Sequence, residues 1–168
     1  MSRDFPDWIN PDKAAAARRE FSGTMPLSRM PRLSGLIEGI EQGSINFRLS
    51  FARDEQNQVR IDVKVEGRVP MRCQRTLAIF EQIVSGRSVV AVVSSEDEVA
   101  SLPDDYEPVL CPDQRLELAA LVEEEVLLSL PLVPVDPDTS QVGQPERLAD
   151  THRPFEVLAE LRKNRNQD

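Results

Sequence analysis

The sequence predicts an α+β domain: an antiparallel β-sheet core with a packed central helix and short N- and C-terminal helices. Three observations predict it. Residues 44–66 alternate apolar and polar side chains, residues 116–130 switch to a helical period, and runs of helix formers opening on a proline stand near both ends. At 168 residues the chain is long enough for one domain with a real core, and a second would leave both marginal. The domain is placed at 1–135, a flexible linker at 136–153, and a C-terminal helix and tail at 154–168.

The run from Asn10 to Glu20 offers a capping residue, a proline suited to the first turn, and four alanines, which predicts a short helix. From Ser28 to Ile37 the spacing of Met30, Leu33 and Ile37 predicts a second, weakened by Gly35 and Gly39. Between Ser44 and Phe51, Ile45, Phe47, Leu49 and Phe51 share one face of a strand, and Asn46, Arg48 and Ser50 the other. After the polar turn at 54–57, Val59, Ile61, Val63 and Val65 point inward while Arg60, Asp62, Lys64 and Glu66 point outward. The two strands form an antiparallel hairpin. Residues 75–84 and 87–94 read as two more strands.

Leu116 to Leu130 is the central helix, with Leu118, Leu121, Val122 and Val126 on one face and Pro131 as its stop. Its last turn is apolar nearly all round, so Leu128 and Leu130 are expected to be buried against the sheet or against a partner. Pro131, Pro134 and Pro137 then enforce an extended segment. Pro154 to Lys163 supplies the last helix through Phe155, Leu158, Ala159 and Leu161.

The net charge of −9 argues against a free-standing nucleic-acid binder, because affinity for nucleic acid rests on neutralising phosphate. The charge is uneven, however: residues 1–50 carry +1, residues 51–100 carry −1, and residues 101–168 carry −9. Within 56–80, Arg60, Lys64, Arg68, Arg72 and Arg75 face only Asp62 and Glu66. Arg60, Lys64, Arg68 and Arg72 recur every fourth residue on one side of a strand, a ladder able to track a phosphate backbone or, equally, a solvated face neutralised by Asp62 and Glu66. Aromatic side chains to stack bases are missing there, which disfavours sequence-specific single-strand recognition.

Catalytic chemistry finds little support. The only histidine, His152, lies in the polar linker, where nothing holds it near Cys73 or a serine. Glu123 and Glu124 are expected to be solvated. Glu125 falls inside the apolar stripe, where a carboxylate needs a hydrogen-bond or cationic partner, such as an arginine from the sheet, unless it escapes at the edge. No phosphate-binding glycine loop is present. The N-terminus lacks an apolar targeting region and no apolar stretch is long enough to span a bilayer, so a cytoplasmic location is expected, without membrane contact. Cys73 and Cys111 fit a reducing compartment.

The stretch Met71-Arg72-Cys73-Gln74-Arg75-Thr76-Leu77, the acidic helix ending in Leu130-Pro131-Leu132-Val133-Pro134, and Pro154-Phe155-Glu156-Val157-Leu158-Ala159-Glu160-Leu161 keep one order along the chain. Together with Asp105-Tyr106-Glu107-Pro108-Val109 and the N-terminal helix followed by Phe21-Ser22-Gly23, they resemble the YceD-like large ribosomal RNA subunit accumulation proteins. The resemblance implies a role in synthesis, processing or stability of 23S rRNA. The implied partners are large-subunit ribosomal RNA or its precursor particle, and a basic ribosomal protein is a further option. Many members of that family carry Cys-x-x-Cys and a His or Cys after the proline turn, a spacing suited to a tetrahedral metal. Here Thr76 stands where the second cysteine would be, and Asp136 and Gln141 follow the turn, so no metal and no cofactor are expected. A non-enzymatic factor is the leading reading. The alternative is a metal-dependent nuclease of rRNA maturation, with Glu123, Glu124, Glu125 and Asp136 as its ligands.

Overall fold

The computed structural model describes residues 5–40 and 43–139. The expected C-terminal helix, the linker from 140 onward and His152 lie outside the described residues. The chain divides after Asp136 into two units, and the first holds the strands and helices of the described residues.

The chain opens with strand β1 (Trp8–Ile9) and helix α1 (Pro11–Ala16). Asn10 caps that helix, its Oδ1 accepting the Lys13 N–H at 2.9 Å, and Pro11 fills the first position, where no N–H is needed. The helix is shorter than the sequence suggests, because Arg18 turns to φ 47 and releases the chain into strand β2 (Glu20–Pro26). This strand was not expected: Phe21 and Met25 are its only buried side chains, too few to show a period. Gly23 lets the Phe5 ring approach, since a β-carbon there would stand 3.2 Å from it.

The helix expected at 28–37 is replaced by two single 3-10 turns, Leu27–Arg29 and Pro31–Leu33. Pro31 cannot donate to a continuing helix, and Gly35 at φ 88 stops any helix beyond the second turn. Leu27, Met30, Leu33 and Ile37 are buried all the same, so hydrophobicity placed the segment although its period misled.

Strand β3 (Ser44–Arg53) pairs antiparallel with β4 (Val59–Arg72), in the register Phe47↔Val65, Leu49↔Val63 and Phe51↔Ile61. Asp54 closes the turn by accepting the Gln56 and Gln58 N–H groups, both at 2.9 Å, and Asn57 takes the left-handed conformation. The two strands expected at 75–84 and 87–94 are one, β5 (Ile79–Val93), which runs extended through Gly86. After the short helix α2 (Glu96–Val99) the chain crosses back to strand β6 (Glu107–Leu110), which lies parallel to β5. The sheet is therefore mixed, in the order β2-β3-β4-β5-β6, and not wholly antiparallel. A parallel neighbour requires such a crossover connection.

Strand β7 (Leu116–Glu117) pairs with β1 in a separate two-stranded ribbon, so helix α3 (Leu118–Ser129) begins two residues later than expected. Leu118, Leu121, Val122 and Val126 of α3 are buried with Ile61, Val63, Val65 and Val69 of β4 in one core. Each such side chain contributes roughly 1.5–3 kcal/mol through burial. No helix of the described residues is long and apolar enough to cross a membrane.

Candidate nucleic-acid interface

Strands β2, β3 and β4 turn alternate, mostly polar side chains away from the core, and β5 adds Glu81, Ser85 and Arg87 to that face beside the exposed Ile79 and Ile83. Register decides which of them meet. Ser22, Arg48, Lys64 and Arg87 are successive partners across β2, β3, β4 and β5, so three cations stand in one row transverse to the strands. Directly opposed side chains are about 4.5–5.5 Å apart at Cβ, and like charges so placed repel. Carboxylates flank the row: Glu20 lies 3.4 Å from Arg48, Glu66 is 2.7 Å from Lys64, and Asp62 is 3.6 Å from Arg87. The Lys64 ammonium, by hydrogen bond and charge, holds Glu66 below its ordinary carboxyl range. The side chains of Arg48, Lys64 and Arg87 are each more than half exposed, and exposed ion pairs contribute little to stability. The row can exchange its carboxylates for phosphate at small cost.

The five cations singled out in the sequence do not all share this face. Arg60 is half-buried and committed to Asp62 at 2.9 Å, a hydrogen bond that raises its guanidinium further above its ordinary value. Arg72 holds Glu38 through Nε at 2.9 Å and Nη2 at 2.8 Å, and donates to the Leu77 carbonyl at 3.0 Å, so it pins the β4–β5 turn. Arg75 reaches the Asp136 carbonyl at 3.3 Å. Lys64 and Arg68 remain exposed, with Arg68 opposite the exposed Ile83. Arg48 and Arg87 were missed. The alternation of residues 45–51 does turn Arg48 outward, but only the three-strand register sets Arg87 beside Lys64.

On the helical side, Glu125 is 5% exposed and accepts a hydrogen bond from the Ser88 hydroxyl of β5. Of the partners expected, a hydrogen-bond donor or a cation such as a sheet arginine, the described residues supply hydroxyl donors. Burial pushes its carboxyl above the ordinary range, and Glu107 adds to the shift against the Ser88 and Ser129 hydroxyls. Glu123, expected in solvent, is buried, and its Oε1 accepts the Arg32 backbone N–H at 2.6 Å while Glu124 pairs with the Arg32 guanidinium. The two clamp the 3-10 turn. Leu128, expected against the sheet or against a partner, does not lie against the sheet: it is 61% exposed, and Leu130 is half-buried. By position 128 the helix presents that side to solvent. No group of three or more His, Cys, Asp or Glu side chains able to hold a metal forms among the described residues: Glu123 and Glu124 turn to Arg32, and Glu125 turns to Ser88.

Cys73 sits in the β4–β5 turn, where the chain after the proline segment meets it. The Gln74 N–H donates to the Pro134 carbonyl at 2.9 Å and the Asp136 N–H to Cys73 Sγ at 3.4 Å. The Thr76 hydroxyl faces the sulfur without closing a well-formed hydrogen bond. It, the Asp136 N–H and the turn amides hold the thiol down at about 6 against the opposing effect of burial. The fold therefore brings Cys73, Thr76 and Asp136 together, but one thiolate with a hydroxyl does not fit a structural zinc site.

Over residues 61–162 the chain matches the family described as Large ribosomal RNA subunit accumulation protein YceD. It is similar to a curated protein of that name from Haemophilus influenzae, 30% identical over 165 residues, covering 92% of this chain and 94% of the relative. No solved structure matches it.

Proposed function

The chain belongs to the YceD family of large ribosomal RNA subunit accumulation proteins, and we propose that it is a non-enzymatic ribosome-biogenesis factor holding large-subunit rRNA on its open sheet face. It acts in the cytoplasm, in synthesis, processing or stability of 23S rRNA, on the RNA or its precursor particle. The observation that carries this reading is the transverse row Arg48, Lys64 and Arg87. Three exposed cations on a rigid sheet are pre-organised for a phosphate backbone, and with no aromatic side chain on that face among the described residues they follow backbone and shape more than base sequence. The acidic remainder of the protein repels RNA elsewhere, which confines contact to this face.

The test is complementation. In cells lacking the protein, a variant with Arg48, Lys64 and Arg87 all changed to Ala should accumulate as folded protein yet fail to restore the ratio of 23S to 16S rRNA. Restoration equal to wild type contradicts the reading.

A further inference from the structure

A cleft of about 550 Å³ opens between α3 and the β5–β6 edge, on the side of the sheet opposite the cationic row. Its volume lies within the range of sites that enclose a ligand or an anchoring side chain. Val90, Val109 and Leu121 supply apolar walls, and the exposed Leu110 and Leu128 stand at its mouth. Glu107, Glu117, Glu124 and Glu125 also line it, against Arg32 and Arg115. Both arginines are engaged: Arg32 with Glu124, and Arg115 over the Trp8 ring at 4.7 Å.

Glu125 makes this more than an acidic patch. It is nine-tenths buried, and Ser88 serves only its Oε2. The Ser129 hydroxyl, which donates to the Glu125 backbone carbonyl at 2.7 Å, also stands by the carboxylate, but among the described residues no cation pairs with it. A buried carboxylate met by two serine hydroxyls and by no counter-charge is a receptor for a cation, and a cation with apolar neighbours also covers Leu110 and Leu128.

We propose that this cleft docks a basic polypeptide segment of a partner protein, in which a lysine or arginine flanked by apolar side chains reaches the Glu125 carboxylate. Charge complementarity selects this occupant over RNA, which the surrounding glutamates repel, and over an acidic or purely apolar segment, which leaves Glu125 without a counter-charge. Protein docks at the cleft while the opposite face holds RNA, so the two contacts are independent.

The probe is a short fluorescein-labelled peptide of alternating leucine and arginine, followed by anisotropy, with an alternating leucine and glutamate peptide as control. The basic peptide should bind and the acidic one should not. Glu125→Gln, which keeps the Ser88 hydrogen bond, should weaken binding about tenfold, as should Leu128→Ala at the exposed mouth. Glu96→Gln, an equal loss of charge on α2, should leave it unchanged, as should the triple Arg48, Lys64 and Arg87 variant. Wild-type binding by both Glu125→Gln and Leu128→Ala overturns the proposal. So does equal weakening by Glu96→Gln, which marks a response to net charge alone, or self-association that Leu128→Ala abolishes without any peptide binding.

Discussion

Gly86 of β5 lies directly beneath Glu125 of α3: a β-carbon there would overlap Glu125 Oε1 and the Ser129 hydroxyl oxygen. The absent side chain is what lets the helix settle on the sheet with a carboxylate facing it. Gly86→Ala should therefore destabilise the protein by about 1–3 kcal/mol, the range for overpacking a close-packed interface, although alanine suits an extended strand better than glycine. Denaturant unfolding measures this, and a variant as stable as wild type would show that the helix can shift freely.

Glu125 also makes stability depend on pH. Its folded carboxyl is raised above the ordinary 4.5 by burial, with Glu107 of β6 reinforcing the shift and Ser88 and Ser129 opposing it. The folded state then holds the proton more tightly than the unfolded chain. This contribution is fully present below the ordinary value and is lost as pH rises through the raised one. Glu125→Gln should flatten the decline over that window and make the protein relatively more stable at neutral pH. Unfolding midpoints of both proteins from pH 4 to pH 8 check the sign.

Burial separates two leucines of one helix. Leu118→Ala, at a fully buried position, should cost about 2–5 kcal/mol. Leu128→Ala, at an exposed one, should stay within about 0.5 kcal/mol. Thermal melts that rank them the other way would contradict the placement of α3.

The turn at Cys73 makes two expectations measurable. Purified protein should hold no stoichiometric zinc by elemental analysis, because Thr76 cannot replace a thiolate ligand. The Cys73 thiol, followed by thiolate absorbance, should titrate near 6 and move upward in Thr76→Val. Because its pKa is depressed, the stability it contributes is complete above the ordinary thiol value of 9.0 and is lost as pH falls through about 6.

The β3–β4 hairpin was legible in sequence because one face of each strand is buried, and a slip of one residue would expose Phe47, Leu49, Val63 and Val65 together. The buried face of α3 was legible for the same reason. Strand β6 was not, since four residues including Pro108 carry no period and owe their place to pairing with β5. Glu123 escaped notice because its partner is the backbone N–H of Arg32, in a turn where Pro31 had defeated the helical reading. Leu128 could not be assigned to the sheet or to solvent because a helix end that is apolar nearly all round names no face. Of the candidate interface, the strand-borne half at Lys64 and Arg68 was visible. The row through Arg48 and Arg87 depends on the register of three strands, which no single segment encodes.

Salt dependence of RNA binding tests the central claim most directly. Affinity for a large-subunit rRNA fragment should fall linearly on a log–log plot against salt concentration. Each phosphate contact contributes about 0.7–0.9 to the slope, so the triple Arg48, Lys64 and Arg87 variant should lose about 2–3 from it and bind more weakly at low salt. A wild-type protein that fails to bind rRNA at low salt, or a triple variant with an unchanged slope and affinity, would contradict RNA contact through this face.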